Sequence, residues 1–453
     1  MKHWRRTVVG MGVWVAIAGC GGGDAGGGLE ARASVGGATA APDLVVWVRD
    51  PATLASISSQ YGLTLVSQFG SRPIYRLRPP AGVSAATLAT IVGARPGVVM
   101  AEPNLAAEAP EARRVSVWAI GGDAGTYASH WAPQALGLAS AHAVSTGSGV
   151  RVAVLDTGAD LVHPALAGAW ARDAAGHVIG RDFVDGDADP SEAGTRSDIG
   201  FGHGTHVAGI VALTAPGARI MPVRVLDAGG RGNAWVLAEA LQWSLDPDGD
   251  PLTDDGAHIV TLSLGTTQPT GLLKAVTDLA TCQFDDDADD YEDPGFDADR
   301  ARCQAGQAAT VVAAAGNDAS DSLHVYPAAE DVKGVLAVTA HTAQKRLASF
   351  ANWGGWIGIA APGEAIVSTV PGGYGTWSGT SMAAPFAAGT AALVMATPAQ
   401  GGPSHADPLR RWTPENLTKR LTDRAGGLCN ASVKGLSAHA AVRDVQAADA
   451  SCP

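Results

Sequence analysis

From Val150 onward, continuous apolar runs alternate with segments of helical spacing. The runs Val150–Leu155, Arg219–Leu226, His258–Leu264, Thr310–Ala315 and Val335–Thr339 predict strands. Between and after them, His203–Leu213, Ala234–Ser244, Gly271–Ala280 and the Ala/Gly-rich Ser381–Ala396 predict helices. Strands that are apolar throughout, rather than alternating, belong to a parallel sheet covered on both faces. The expected fold class is therefore α/β, a mostly parallel sheet with helices on both faces. Ligand sites in such sheets lie at the carboxyl ends of the strands.

The earlier part of the chain has a different rhythm. Within residues 43–107, Leu44–Val48 is strand-like, Thr53–Tyr61 has helical spacing and Ile74–Arg78 alternates. Ala85–Ala94 is helical and Val98–Ala101 extended. The order predicts a small ferredoxin-like α+β unit. Residues 108–130 are polar and Gly-rich, and are expected to be an irregular linker open to proteolysis. Residues 131–453 then form the larger domain. At the start, Lys2, Arg5 and Arg6 precede an apolar run ending at Gly19. Residues 1–19 read as a signal peptide, too short to span a membrane as a helix. Residues 20–42, with Gly21–Gly28, read as a flexible tether.

Composition narrows the function. A hydrophobic content of 46% with 17% charged residues is that of a folded globular protein. The net charge of −13 argues against nucleic acid as a partner, because phosphate binding needs clustered Lys and Arg. Of five cysteines, Cys20 closes the leader and four remain. They allow three pairings. The local pairing, Cys282–Cys303 and Cys429–Cys452, is the expectation, and free thiols would not suit an exported chain.

Four polar residues stand where such a sheet would expose them. Asp156 follows the apolar run Val152-Ala153-Val154-Leu155, and Asn317 follows Thr310–Ala315. Each has an ordinary alternative as a turn residue. His203 and His206 open a predicted helix in Gly202-His203-Gly204-Thr205-His206. A metal pair is conceivable at this spacing, but the glutamate of a zinc-protease His-Glu-x-x-His is missing, and a base beside a nucleophile fits His203 better. Ser381, in Gly379-Thr380-Ser381-Met382-Ala383-Ala384-Pro385, lies at a helix start, where unpartnered N–H groups and the helix dipole favour negative charge. Capping is the bland use of such a serine.

Taken together, in the order Asp156, His203, Asn317, Ser381, these motifs resemble the subtilisin-like serine proteases, the subtilases, from about Trp131 to Val442. The resemblance implies a serine endopeptidase acting on protein or peptide substrates, with Ser381 as nucleophile, His203 as general base and then acid, and Asp156 orienting the imidazole. It implies an oxyanion hole from the Ser381 N–H and the Asn317 amide, with Thr380 as a further donor. His206 is expected to be a packed structural histidine. Ser263-Leu264-Gly265 resembles the substrate-binding edge, where a peptide would add as a strand. Ala314-Ala315-Gly316 would form the opposite wall of the specificity pocket, and Val325 its floor. Gly97-Val98 through Ala101-Glu102-Pro103-Asn104 resembles the end of a subtilase propeptide, which inhibits the protease it precedes. Ile17-Ala18-Gly19-Cys20 resembles a bacterial lipobox, so Cys20 would carry lipid and anchor an exported chain to a membrane. Gly21 after it is similar to lipoproteins of the outer membrane. The chain lacks the loop that holds a strong calcium site in secreted subtilisins. Asp246, Asp248 and Asp250, with Asp254 and Asp255, offer hard oxygen ligands suited to structural calcium, as does the acidic loop Asp285–Asp299. The lipase-type Gly-x-Ser-x-Gly elbow is absent, since Met382 and Ala383 follow the serine.

Overall fold

The computed structural model describes residues 30–31, 43–113, 117–283, 294–397 and 409–452. The signal segment, Cys20 and residues 284–293 of the acidic loop lie outside them. Six strands form the body of the molecule: β1 (Arg151–Asp156), β2 (Arg219–Arg224), β3 (Ile259–Leu262), β4 (Thr310–Ala314), β5 (Val335–His341) and β6 (Ile359–Pro362). They are parallel, in the spatial order β6-β5-β4-β3-β1-β2. Short strands at Arg181–Asp182 and at Lys434–Gly435 extend the two edges.

Burial on both faces explains the unbroken apolar runs. Within β1, Val152 and Val154 join one core, and Ala153 and Leu155 the other. The first core is closed by helices α1 (His203–Thr214) and α4 (Thr380–Met395). The second is closed by α2 (Ala234–Leu245) and α3 (Gly271–Thr281). Every residue of α4 is buried, as a helix apolar on all sides must be. Small residues let it approach its neighbour: a Cβ on Gly389 would lie 2.5 Å from the Thr214 Cβ of α1.

The small N-terminal unit is an antiparallel sheet in the order Thr64–Gln68, Ile74–Arg78, Leu44–Val48, Val98–Pro103, with helices Pro51–Tyr61 and Ala85–Gly93. Strand alternation divides its two faces. Leu44, Val46 and Val48 pack under its own helices, whereas Val45 and Trp47, with Phe69 and Ile74, join the core of α2 and α3. Glu102 fastens the contact by accepting the Gly271 and Leu272 N–H groups at the start of α3, at 2.7 and 3.0 Å. Anions at a helix N-terminus are favoured there. Arg72 adds a buried pair with Asp299 at 2.6 Å.

The linker expectation for residues 108–130 needs correction. Ala106–Glu108 pairs antiparallel with Arg231–Asn233, and Pro110–Arg113 forms one helical turn. Val117–Ile120 pairs with the strand Gly373–Trp377, and Asp123 caps a helix at Ala124–Ser129. The Tyr127 hydroxyl donates to Gly209 O at 2.6 Å. The partners of each piece come from far along the chain, so local polarity gave no sign of them. Cys282–Cys303 and Cys429–Cys452 are bonded, the local pairing. Among the described residues, no helix is long and apolar enough to cross a membrane.

Candidate active site

Asp156 ends β1 and His203 begins α1, so two elements of the same crossover bring them together. The approach is tight: a Cβ on Gly204 would fall 2.0 Å from Gly158 O. Gly202, the N-cap, has φ +88°, a conformation that glycine adopts without cost. His203 Nδ1 lies 2.7 Å from Asp156 Oδ1, which also accepts the Thr157 N–H at 2.8 Å. A carboxylate on Nδ1 fixes the tautomer and leaves Nε2 facing the site. The Trp377 indole meets the rings of both His203 and His206 edge-on. His206 itself is buried, with Nε2 at 3.1 Å from Ile366 O. Burial, together with the charge of His203, lowers its pKa to about 3, which fits a packed neutral ring.

Ser381 is the second residue of α4, and Asn317 follows β4. Thr380 does not donate into the space between them. Its N–H and its hydroxyl both go to Asn317 Oδ1, each at 2.9 Å, while Thr380 Oγ1 accepts the Gly316 N–H. The expectation of a donor at Thr380 is thus corrected: it turns the Asn317 amide so that Nδ2 points into the site.

Ser263 has a part in holding the serine as well as lying beside the edge. Pro385 sits inside α4 and has no N–H for the carbonyl four residues earlier, that of Ser381. The Ser263 hydroxyl donates to that carbonyl at 2.8 Å. A side chain from the end of β3 thus supplies the bond that the proline withholds, and ties the serine to the sheet.

Of the expected substrate edge, Leu264 points into the core, and Gly265 carries the backbone groups that pair along the edge. Ala314 and Ala315 are fully buried. Val325 lies between the two walls: Cβ atoms on Gly265 and Gly316 would meet its methyls at 2.6 and 2.8 Å. The edge is occupied. Glu108 and Gly265 exchange N–H···O bonds of 3.0 Å, an antiparallel bridge made by the chain's own segment.

Two glutamates escaped the sequence reading. Glu111, on the turn Pro110–Arg113, is buried against the serine. Its Oε2 accepts the Ser381 hydroxyl at 2.6 Å and lies 3.2 Å from His203 Nε2, and its Oε1 accepts Asn317 Nδ2 at 2.8 Å. Burial would raise this carboxyl, but the contact and charge of His203 and the Ser381 hydroxyl hold it below its ordinary value. Burial would likewise lower His203. The charge and hydrogen bond of Asp156, with those of Glu111, overcome this and raise it to about 10. Glu192 joins the two halves of the crossover. It accepts the Thr157 hydroxyl and the Gly202 N–H on one oxygen, and the Thr205 hydroxyl on the other, at 2.5, 3.0 and 2.7 Å. Burial, and then the charge of Asp156, outweigh these bonds and raise it to about 7. Neither glutamate lies in a recognisable motif; only the folded loops reveal them.

The acidic cluster also differs from expectation. Asp246 and Asp248 converge with Asp255, their oxygens within 4.8 Å of one another, rather than with Asp250. Asp250 instead accepts the Leu252 N–H in its own turn.

This arrangement defines a class, and the match to known proteins agrees. The model of the subtilase family matches residues 147–445, and the chain belongs to that family. It is 33% identical over 311 residues to subtilisin BL of Lederbergia lenta, covering 66% of this chain and 92% of the relative. It is 37% identical over 258 residues to a thermophilic serine proteinase of Bacillus sp. (strain AK1), covering 54% of this chain and 52% of that protein. The chain thus spans about half the length of that relative and 65% of the M-protease of Shouchella clausii. Among solved structures, fervidolysin from Fervidobacterium pennivorans has the same subtilisin-like fold, with a TM-score of 0.64 at 22% identity over 89% of this chain and 61% of that one.

The Ser263–Pro385 compensation has a measurable consequence. Ser263→Ala should cost about 1–3 kcal/mol of stability, because the buried Ser381 carbonyl loses its donor. In that background Pro385→Ala should recover most of the loss by restoring an N–H. A double-mutant cycle in guanidinium unfolding tests this, and strictly additive effects would show that the two residues are not coupled.

Proposed function

We propose that the chain is a serine endopeptidase that hydrolyses peptide bonds of proteins through an acyl-enzyme. The observation that carries this reading is the 2.7 Å contact of His203 Nδ1 with Asp156, beside Ser381, in a chain of the subtilase family. Ser381 attacks the carbonyl, and His203 takes its proton and returns it to the leaving amine. Asp156 holds the ring and stabilises the imidazolium. The Ser381 N–H and Asn317 Nδ2 hold the oxyanion, and loss of one such donor costs about 10²–10³ in turnover, a magnitude that comes from subtilisin itself. A fluorophosphonate probe should label the processed protein but not Ser381→Ala, and casein hydrolysis should follow the labelling. The Ser381→Ala chain should also accumulate uncut in a protease-deficient host. A pseudoprotease that only binds peptides would show neither labelling nor hydrolysis.

The same reading makes residues 43–107 an inhibitory propeptide. Its support is the apolar face shared with α2 and α3, the Glu102 cap, and the Glu108 bridge on the edge where substrate would lie. It also makes the protein an exported lipoprotein attached at Cys20, on the strength of the leader and the Ile17-Ala18-Gly19-Cys20 sequence. Cys20→Ala should abolish incorporation of labelled palmitate; unchanged incorporation would refute the anchor.

Structural calcium is part of the proposal. Asp246, Asp248 and Asp255 present three carboxylates to one point. Burial and the charges of Asp255 and Asp248 push Asp246 up to about 6, a repulsion that a divalent cation would relieve. Chelation should lower the melting temperature of the wild type, and Asp248→Asn should remove that sensitivity. An identical response in wild type and variant would exclude this cluster.

A further inference from the structure

Glu111 is not explained by a propeptide that merely covers the cleft. Strand Ala106–Glu108 runs along Arg231–Asn233 and reaches Gly265 as a bound peptide would. At Pro110 the chain then turns into Pro110–Arg113. No main-chain carbonyl of this segment bonds to Asn317 Nδ2. The amide is instead spent on a side-chain oxygen, Glu111 Oε1. The room for that oxygen comes from Gly379, where a Cβ would stand 1.7 Å from Oε1. The second oxygen accepts the hydrogen bond of the Ser381 hydroxyl and faces His203 Nε2.

We infer that Ser381, Asn317 and His203 form a carboxylate receptor, and that its ligand in the intact chain is the Glu111 side chain, delivered by an acidic peptide segment that presents no bond for cleavage. The inference rests on the proposed roles of Ser381 and Asn317. It adds the ligand class and the binding register: a strand along Gly265, a proline turn, then a glutamate two residues beyond Ala109. Segments of this form bind the cleft without being cut, so the cut that processes the intact chain is made outside residues 104–113 by another copy whose site is already open.

The chemistry of the blocked site is specific. A carboxylate between two neutral donors and an imidazolium forms charge-assisted hydrogen bonds. With carboxylates on both sides, His203 holds a proton and cannot accept that of Ser381. Nucleophile, base and oxyanion donor are therefore all engaged by one side chain. The charged groups facing Glu111 are His203 and, behind it, Asp156; Arg113 on the same turn pairs with Asp318 beside Asn317 at 3.5 Å.

The sign of the pH dependence follows. In the open site His203 keeps Asp156 but has lost the Glu111 hydrogen bond and charge, so its pKa lies below the blocked-site value. In the blocked site it is raised to about 10. Closing therefore takes up a proton between these values. Affinity is full below the open-site pKa and falls as pH rises toward about 10, by up to about tenfold per unit.

Two experiments test the receptor. In the first, the uncut full-length chain and its Glu111→Ala and Glu111→Gln variants are treated with a fluorophosphonate probe. The uncut variants should label at least about tenfold faster than the uncut wild type, because the charged partner is gone. Equal rates would mean that the strand alone blocks the site, and would overturn the inference. In the second, which needs no variant to fold, a synthetic peptide of residues 104–113 is added to processed wild-type enzyme. It should inhibit competitively, remain intact, and weaken between pH 7 and pH 9; the same peptide with Gln in place of Glu111 should be at least about tenfold weaker. Equal inhibition by the two peptides, a pH-independent inhibition constant, or cleavage of the peptide would each overturn it. Failure of every form, processed protein included, to take the probe would instead overturn the nucleophile assignment on which the receptor rests.

Discussion

The site depends on a buried imidazole flanked by carboxylates. A charge removed from water is tolerated only when it is paired and hydrogen-bonded. His203 has Asp156 on one nitrogen and Glu111 near the other, and all three are enclosed. This makes the cluster sensitive to what occupies the cleft. With Glu111 in place the proton stays on the ring. Under the function proposed, its departure leaves Asp156 as the sole partner, and the ring becomes a base.

The scaffold meets this demand through close backbone approach. Gly204 lets the start of α1 reach the end of β1, and Glu192 ties the residues next to Asp156 to those around His203. On the opposite side, the hydroxyls of Thr380 and Ser263 are used on structure rather than chemistry. One aims the Asn317 amide and the other replaces the hydrogen bond that Pro385 omits. A serine on the first turn of a helix is held by fewer intrahelical bonds than one in its middle. Anchoring its carbonyl to β3 offsets that looseness.

The N-terminal unit reaches the same cleft by a different route. Its sheet has two buried faces, one under its own helices and one on α2 and α3. That docking fixes the exit of the last strand at Pro103, a few residues from the cleft edge. Glu111 can therefore be aimed at the serine by a short segment, because both its ends are held.

The sequence by itself determined the sheet, the principal helices and the chemical identity of the four motif residues. These are local properties: apolar runs of one period, and short motifs whose glycines serve a turn or a close approach. Asp156, His203, Asn317 and Ser381 were legible for that reason, and so was the α+β order of the small unit. The tertiary structure decided what depends on pairs far apart in the chain. The pieces Ala106–Glu108 and Val117–Ile120 are strands because their partners are Arg231–Asn233, Gly265 and Gly373–Trp377. Thr380 serves Asn317, and Asp255 rather than Asp250 completes the acidic cluster. Pro385, which no local rule explained, makes sense only beside Ser263, 118 positions away from the carbonyl it bonds. Glu111 had no signal at all. A glutamate in a polar stretch is ordinary until the fold carries it 270 positions along the chain to the Ser381 hydroxyl.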